Sequence, residues 1–141
     1  MRSTGGKPVK RNLVIDAGFL GLFFKKDART YEYLKAIDHG ESHGYISGVN
    51  LAEFYYKTCR TFGRQTADAR FNLVAESGVT VFDDAELNRL AGLERCRKEL
   101  DISLADCYAL ALTKVVNGLL LTTDSELGKT RDVDVRHFPL E

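Results

Sequence analysis

Short strand-like runs alternate with helical patterns along most of this chain, and that alternation limits the possible folds more than any other feature. Strands are predicted over residues 12–16, 44–47, 79–82, 119–122 and 133–138. Helices are predicted between them, over residues 17–24, 27–40, 50–62, 64–77, 84–100 and 103–117. Strands that alternate with helices form a parallel sheet covered on both faces. The pattern therefore predicts a single three-layer α/β/α domain with a short-stranded, mainly parallel sheet.

The length and the charge balance limit the possible functions. A chain of 141 residues suits one domain, and we expect residues 1–11 to be a flexible leader and residues 12–141 to be the folded domain. Its 20 basic and 20 acidic side chains give a formal net charge of zero. This balance excludes a basic protein that holds nucleic acid through its overall charge, so a nucleic-acid partner requires local basic patches.

The sequence also indicates a compartment. The apolar stretch after residue 12 is interrupted by Asp16 and has no small-residue cleavage site. No apolar run approaches the roughly 18 residues that span a bilayer. The three cysteines are an odd number and widely spaced, which is typical of a reducing compartment. We therefore expect a cytoplasmic protein that makes no membrane contact.

Four acidic residues are predicted to lie near one edge of the sheet. In parallel α/β sheets, functional groups gather beyond the carboxyl ends of the strands. Asp16 closes the first strand, Asp124 follows the fourth, and Glu53 lies in the first turn of the helix after the second. Asp106 lies in the first turn of helix 103–117, so it reaches this edge only if that helix packs back across the sheet.

Each of these acids also has a structural explanation when taken singly. Ser103 and Asp106 have the spacing of a helix capping box, and Asn50 and Glu53 have the same spacing. Asp16 and Asp124 suit the start of a loop after a strand. The spacing alone leaves both interpretations open.

The surroundings of Asp16 and Asp106 favour a functional interpretation. Asp16 interrupts a stretch, residues 13–24, that is otherwise apolar or glycine, and Asp106 is the only charged residue between Asp101 and Lys114. A buried carboxylate is very costly without a partner, and no basic residue lies close to Asp106 in sequence. Converging carboxylates without cations suit Mg²⁺, with Mn²⁺ as a substitute. Such an ion can activate water for phosphodiester hydrolysis, a reaction that needs no histidine, and none is placed with these acids in sequence.

Four short motifs occur in order along the chain: Val14-Ile-Asp16-Ala, Leu51-Ala-Glu53, Ile102-Ser-Leu-Ala-Asp106 with Ala109, and Leu121-Thr-Thr-Asp124. Together they resemble the PIN domain and, in size and layout, the VapC-like toxins of type II toxin–antitoxin pairs. The resemblance runs from about residue 12 to residue 138. It implies a Mg²⁺-dependent, single-strand-selective endoribonuclease that hydrolyses phosphodiester bonds of RNA.

The resemblance also implies roles for individual residues. Asp16, Glu53, Asp106 and Asp124 would be the catalytic acids. Asp16 and Asp106 would be the central metal ligands, and Asp124 would bind the metal directly or through water. Glu53 would help to hold the metal or position the attacking water. Thr122 would support the site by hydrogen bonding, and Ser103 would cap its helix and orient Asp106.

Partners are implied as well. The family favours a homodimer and an antitoxin whose segment covers the edge of the sheet where the four acids are predicted to lie. RNA contacts are expected from local positive charge, foremost at Lys25, Lys26, Arg60 and Lys129. The other candidates are Arg29, Lys57, Arg64 and Arg131. One departure is that many family members have Ser, Thr or Asn two residues after the first aspartate, where this chain has Gly18. A small polar contact to the metal shell or to phosphate would then be missing.

Other classes of function fit less well. A phosphotransferase of the haloacid-dehalogenase type needs a second aspartate where Gly18 stands, and a response-regulator receiver domain needs adjacent acids and a late lysine. Two alternatives stay open within the family. One is a housekeeping RNA-processing nuclease, and the other is a PIN-like module that binds RNA or protein without cutting.

Overall fold

The computed structural model describes residues 10–97 and 101–140, which form five strands and seven α-helices. The strands are β1 (Asn12–Ile15), β2 (His43–Ser47), β3 (Thr80–Phe82), β4 (Leu119–Thr122) and β5 (Asp134–His137). The helices are α1 (Ala17–Phe24), α2 (Tyr31–Asp38), α3 (Gly48–Phe62), α4 (Arg64–Ala75), α5 (Ala85–Cys96), α6 (Leu104–Val116) and α7 (Ser125–Gly128). A short 3-10 helix (Ala28–Thr30) precedes α2. No helix in these two ranges is long and apolar enough to cross a membrane.

The five strands form one parallel sheet in the order β3-β2-β1-β4-β5. The chain builds outward from β1 to β3 and then crosses back to place β4 on the other side of β1. The order therefore reverses between β1 and β4, and ligands of open α/β sheets bind at the carboxyl ends of the strands at such a point. Ile15 at the end of β1 is in register with Leu121 of β4.

Two apolar cores cover the two faces of the sheet. Successive side chains of a strand point to opposite faces, so Leu13 and Ile15 enter one core while Val14 enters the other. The first core packs against helices α1 to α4, and the second packs against α5 to α7. The three-layer α/β/α prediction is confirmed.

Several element boundaries differ from the prediction. Helix α3 begins at Gly48, because the Ser47 hydroxyl accepts a hydrogen bond from the Asn50 amide and so caps the helix earlier. Helix α5 ends at Cys96, since Arg97 is extended, and residues 98–100 of the predicted helix lie outside the described residues. The predicted leader falls mainly on residues 1–9, which are also outside them. The Arg11 carbonyl accepts a hydrogen bond from the His43 amide.

Candidate active site

Asp16 lies between the end of β1 and the start of α1, and its side chain is only 4% exposed. As the cap of α1, its Oδ1 accepts a hydrogen bond from the Phe19 amide at 2.8 Å. Its Oδ2 accepts a short hydrogen bond from the Thr122 hydroxyl at the end of β4. Neutral donors therefore orient this carboxylate, but they do not neutralise its charge.

Thr122 connects Asp16 to Asp124. The Thr122 side chain is fully buried, and its Oγ1 also accepts a hydrogen bond from the Asp124 amide at 3.0 Å. Asp124 caps the short helix α7, since its Oδ1 accepts a hydrogen bond from the Leu127 amide at 2.9 Å. The sequence analysis did not predict α7. The Thr122 hydroxyl thus bonds to both Asp16 and Asp124, and it fixes the positions of these two residues relative to each other at the switch point of the sheet.

Asp106 belongs to a capping box at the start of α6. Ser103 Oγ accepts a hydrogen bond from the Asp106 amide at 3.1 Å, and Asp106 Oδ2 accepts one from the Ser103 amide at 3.4 Å. The capping box that the spacing of Ser103 and Asp106 indicated is therefore present, and it accounts for one oxygen of the Asp106 carboxylate. The return bond is long, and the second oxygen, Oδ1, has no hydrogen-bond partner among the residues that the structure describes.

Asn50 is a buried residue that the sequence analysis missed as part of the site. Its Nδ2 donates a hydrogen bond to the Ala105 carbonyl at 3.0 Å, and its Oδ1 accepts one from the Ser47 hydroxyl. This side chain joins the first turn of α3 to the first turn of α6. The sequence analysis expected Asp106 to reach the edge only if its helix packed back across the sheet. Asn50 contributes to that packing, because it holds the start of α6 against the start of α3.

Glu53 lies in the second turn of α3, not in the first turn as predicted. The capping explanation for Asn50 and Glu53 is wrong, because Ser47 caps this helix. Glu53 instead faces Lys57 one turn later, with 3.4 Å between Oε2 and Nζ. The site therefore receives Glu53 from one helical layer and Asp106 from the other. We call the set of Asp16, Glu53, Asp106 and Asp124 the acidic edge.

The electrostatics show that these four carboxylates interact. Burial, with smaller contributions from the negative charges of Glu53 and Asp124, raises the pKa of Asp16 to about 6. Burial also raises the pKa of Asp106 to about 6, with the charges of Asp124 and Asp16 acting in the same direction. Hydrogen bonds from Thr122 to Asp16 and from Ser103 to Asp106 oppose these effects. Within residues 10–97 and 101–140, no lysine or arginine forms an ion pair with Asp16, Asp106 or Asp124.

The donor set fits a hard divalent cation, although not as a closed cage. Among the described residues, no three His, Cys, Asp or Glu side chains form a ready metal-binding group. Mg²⁺ usually keeps several waters and is held by only one or two carboxylates, so it does not need such a group. The all-oxygen donors and the unpaired negative charge match that mode of binding. The ligand assignment to Asp16, Asp106 and Asp124 stays a prediction.

Three of the residues predicted to bind RNA, Lys25, Lys26 and Arg60, lie on helices that carry them away from the acidic edge. Lys25 and Lys26 follow the far end of α1, roughly 13 Å along the helix from Asp16 at 1.5 Å per residue. Arg60 is roughly 10 Å along α3 from Glu53 by the same rise, and its guanidinium lies 5.0 Å from the centre of the Tyr56 ring. Lys129 pairs with Glu126 at 3.1 Å.

Two side chains do lie close to this edge. Lys57, one of the candidate RNA contacts, is beside Glu53, as described above. His137, which was not expected near the acids, has its Nε2 3.3 Å from the carbonyl oxygen of Thr123, the residue before Asp124. The register of β5 against β4 brings His137 there, opposite Thr122, and a sequence without known strand pairing gives no signal for it.

The fold and the acidic edge together define a parallel α/β domain with an acidic site at the switch point of its sheet. The family model of the PIN domain matches residues 13–133, and the chain belongs to the PIN domain family. No curated protein sequence matches the chain.

Solved structures share this fold at low sequence identity. VapBC2 from Rickettsia felis, bound to a DNA fragment from its promoter, matches with a TM-score of 0.73 and 15% identity, over 89% of this chain and 98% of that chain. VapC20 from Mycobacterium tuberculosis, a sarcin-ricin loop cleaving toxin, matches with a TM-score of 0.69 and 21% identity, over 88% and 98%. DNA-bound VapBC from Salmonella typhimurium matches with a TM-score of 0.71 and 15% identity, over 90% and 98%. These likenesses show the fold.

Proposed function

We propose that this protein is a divalent-cation-dependent endoribonuclease that hydrolyses phosphodiester bonds of RNA. The observation that carries the proposal is the acidic edge, where the charges of Asp16, Asp106 and Asp124 act on one another without a cation partner among the described residues. Charge of this density at a switch point calls for a positive counterpart, and Mg²⁺ or Mn²⁺ suits its oxygen donors. Membership of the PIN domain family supports the nuclease assignment.

The proposed roles follow from the contacts of each side chain. Asp16 and Asp106 hold the ion, and Asp124 binds it directly or through water. Thr122 and Ser103 keep the carboxylates oriented, since each hydrogen-bonds one of them. A bound divalent cation supplies water activation and stabilises the charge that develops on the phosphoryl group.

Glu53 has a different role in the proposal. Its carboxylate lies near Lys57 and acts on the charge of Asp16, so it is placed to orient the attacking water or to help hold the ion. Lys25, Lys26 and Arg60 stay predicted contacts for parts of the RNA strand that lie away from the acidic edge. Lys129, which follows α7, stays a predicted contact as well. Lys57 is the basic residue that we propose for the strand nearest to Glu53.

We further propose that the nuclease is the toxin of a toxin–antitoxin pair. Structures of VapBC complexes share its fold, and VapC20 is described as a toxin that cleaves the sarcin-ricin loop. An apolar groove of about 440 Å³ lies between α1, α2 and α4, with Tyr31 43% exposed and Leu73 59% exposed at its sides. Exposed apolar surface of this kind marks protein interfaces. An apolar segment of the antitoxin is its proposed occupant.

We also propose a homodimer in the cytoplasm. Of the aromatic residues of α3, Phe54 is buried, whereas Tyr56 and Phe62 are largely exposed. Exposed aromatics are enriched at protein interfaces, so this part of α3 is the proposed contact between copies. Sedimentation at micromolar protein tests the dimer, and Phe62→Ser is expected to shift it towards monomer.

The central experiment measures cleavage of a mixed pool of single-stranded and structured RNA by the wild type and by Asp106→Asn. Mg²⁺ or Mn²⁺ is present in one arm and EDTA in the other. We expect cutting of single-stranded RNA that EDTA stops and that the variant lacks. If folded, antitoxin-free wild type binds RNA but never cuts it, the chain is a PIN-like binding module. Cutting confined to one precursor RNA, without toxicity on expression, would favour a housekeeping nuclease.

A further inference from the structure

Gly18, in the first turn of α1, shares its space with the side chain of Thr123. A β-carbon built on Gly18 would collide with Thr123 Oγ1, and it would lie 3.2 Å from Thr123 Cβ and 3.4 Å from Cγ2. The backbone of Gly18 does not require glycine, because its φ is not in the positive range. The residue is small because the Thr123 side chain occupies the place where a larger residue would put its own.

The Thr123 hydroxyl differs from its neighbour in having no partner. Thr122 is fully buried, and its hydroxyl bonds both Asp16 and the Asp124 amide. Thr123 is only partly buried, and its hydroxyl makes no hydrogen bond to any of the residues that the structure describes. An unused hydroxyl thus lies against Gly18 in the first turn of α1, two residues after Asp16, and belongs to the residue that precedes Asp124.

This hydroxyl suits an anionic ligand at an edge that is itself anionic. A phosphate approaching four carboxylates needs donors that carry no negative charge, and a hydroxyl can donate to a phosphate oxygen. The amides of Phe19 and Leu20 are already taken by Asp16. The amides of Ala17 and Gly18, which have no intrahelical acceptor, are not paired elsewhere in the described part of the chain. The hydroxyl and these two amides belong to the same corner of the site.

We propose that the Thr123 hydroxyl donates a hydrogen bond to a phosphate oxygen of the bound RNA strand, and that Gly18 provides the space for it. This inference rests on the proposed ribonuclease function and names one more residue that contacts the substrate. It also explains how the chain dispenses with a polar side chain at residue 18. The hydroxyl is supplied by Thr123, which follows β4, rather than by a residue of α1.

The first test compares Thr123→Val, which keeps the shape and loses the hydroxyl, with Thr123→Ser, which keeps the hydroxyl. A hydrogen bond to a charged oxygen predicts a loss of roughly tenfold or more in kcat/KM for the valine variant and of roughly threefold or less for the serine variant. Thr80→Val, on the exposed surface of the edge strand β3, is the matched control. Equal kcat/KM for Thr123→Val and the wild type overturns the proposal.

The second test moves the hydroxyl across the shared space. Gly18→Ala alone is expected to displace Thr123 and to reduce cleavage as much as Thr123→Val does. The double variant Gly18→Ser with Thr123→Ala restores a hydroxyl to the same volume and is expected to cleave faster than Thr123→Ala. Circular dichroism verifies that each variant is folded. A double variant no faster than Thr123→Ala counts against the shared-space argument.

The third test separates this proposal from the proposed function. The affinity of a short oligouridylate is measured by fluorescence anisotropy with Asp106→Asn and with Asp106→Asn plus Thr123→Val. Loss of one bond to phosphate predicts weaker binding by roughly tenfold, whether or not the wild type cuts RNA. Thr123-dependent binding without cutting by the wild type would refute the nuclease and keep the contact. Equal affinities, with cutting by the wild type, would refute the contact and keep the nuclease.

Discussion

Two clusters of carboxylates lie on this domain, and they differ in what surrounds them. In the first, which we call the paired cluster, Glu94 and Asp132 face Arg97 and Lys114. Lys114 Nζ is 2.6 Å from Glu94 Oε2, and Arg97 Nη1 is 3.1 Å from both Glu94 Oε1 and Asp132 Oδ2. In the second, the acidic edge, neutral hydroxyl and amide groups donate to Asp16, Asp106 and Asp124, and Glu53 faces Lys57.

Burial alone does not separate the two clusters. The Glu94 side chain is 10% exposed and Asp16 is 4% exposed, so both carboxylates are largely removed from water. The difference is that protein cations pair with the first cluster, whereas Asp16, Asp106 and Asp124 have no such partner in the described part of the chain. A buried charge without a partner is unfavourable in the free protein. The proposed external cation would supply that partner at the acidic edge, whereas the ion pairs of the paired cluster join α5, α6 and the segment before β5.

The largest expected difference between the clusters is in activity. Asp106→Asn keeps the shape and removes one charge from the acidic edge, so we expect cleavage to fall by roughly a thousandfold or more. Asp132→Asn makes the same chemical change in the paired cluster, and we expect it to leave cleavage within roughly twofold. Single-turnover cleavage of a labelled single-stranded RNA measures both. Retained cleavage by Asp106→Asn would overturn the assignment of the site.

The second difference concerns pH. The folded pKa of Asp16, about 6, lies above its ordinary value of 3.8, so the folded state binds the proton more tightly than the unfolded chain. The contribution of Asp16 to the stability of the metal-free protein therefore falls as the pH rises from 4 to about 6, and then levels off. The shift of about two units corresponds to about 3 kcal/mol. Asp106 acts in the same direction.

Urea unfolding in EDTA tests this by comparing the wild type with Asp16→Asn. The variant lacks the titrating group, so its free energy of unfolding is expected to gain about 3 kcal/mol relative to the wild type between pH 4 and pH 7. A gap that does not change with pH would contradict the unneutralised state of the acidic edge. Asp132→Asn, in which the altered carboxylate faces cations, is the matched comparison.

The third difference is in the response to metal. A cation present at a hundred times its Kd stabilises the native state by about 2.7 kcal/mol, which is on the order of 8 °C in Tm for a domain of this size. Mn²⁺ is expected to raise the Tm of the wild type and of Asp132→Asn, and to raise that of Asp106→Asn much less. Identical Tm values in EDTA and in millimolar Mn²⁺ would remove the support for a metal site.

The fold could be predicted from the sequence because its signals are local. Strand-like runs that alternate with helical patterns indicated a covered parallel sheet, and the positions of Asp16 and Asp124 followed from strand direction. The position of Asp106 could not be predicted alone, because it depends on the bond between Asn50 and the Ala105 carbonyl, 55 residues away in sequence. From the sequence alone, Asn50 could equally be a residue that only begins a helix or a residue whose side chain joins two helices.

The basic residues show a different limit of sequence analysis. Lys25, Lys26 and Arg60 were predicted from their charge, and α1 and α3 place them roughly 10 to 13 Å along the helix from Asp16 and Glu53. Their contact with RNA stays a prediction. Lys57 lies one turn after Glu53 and stays near the edge. Local charge therefore predicts exposure, whereas distance along a helix from a known site residue predicts which cations approach that site.

The smallest expected effect is on the stability that the ion pairs of the paired cluster contribute. Lys114→Met keeps most of the aliphatic stem but removes the cation that is 2.6 Å from Glu94. Arg97 still faces that carboxylate, and Lys114 is itself 35% exposed, so we expect a loss of only about 1–2 kcal/mol in the free energy of unfolding. Arg89→Met, which breaks an exposed pair with Glu86, is the control and should cost about 0.5 kcal/mol or less.

Because the paired cluster holds no reacting group, RNA cleavage by Lys114→Met should match the wild type at a temperature where both are folded. A variant of unchanged stability that cleaved slowly would place Lys114 in substrate binding and end the distinction between the two clusters.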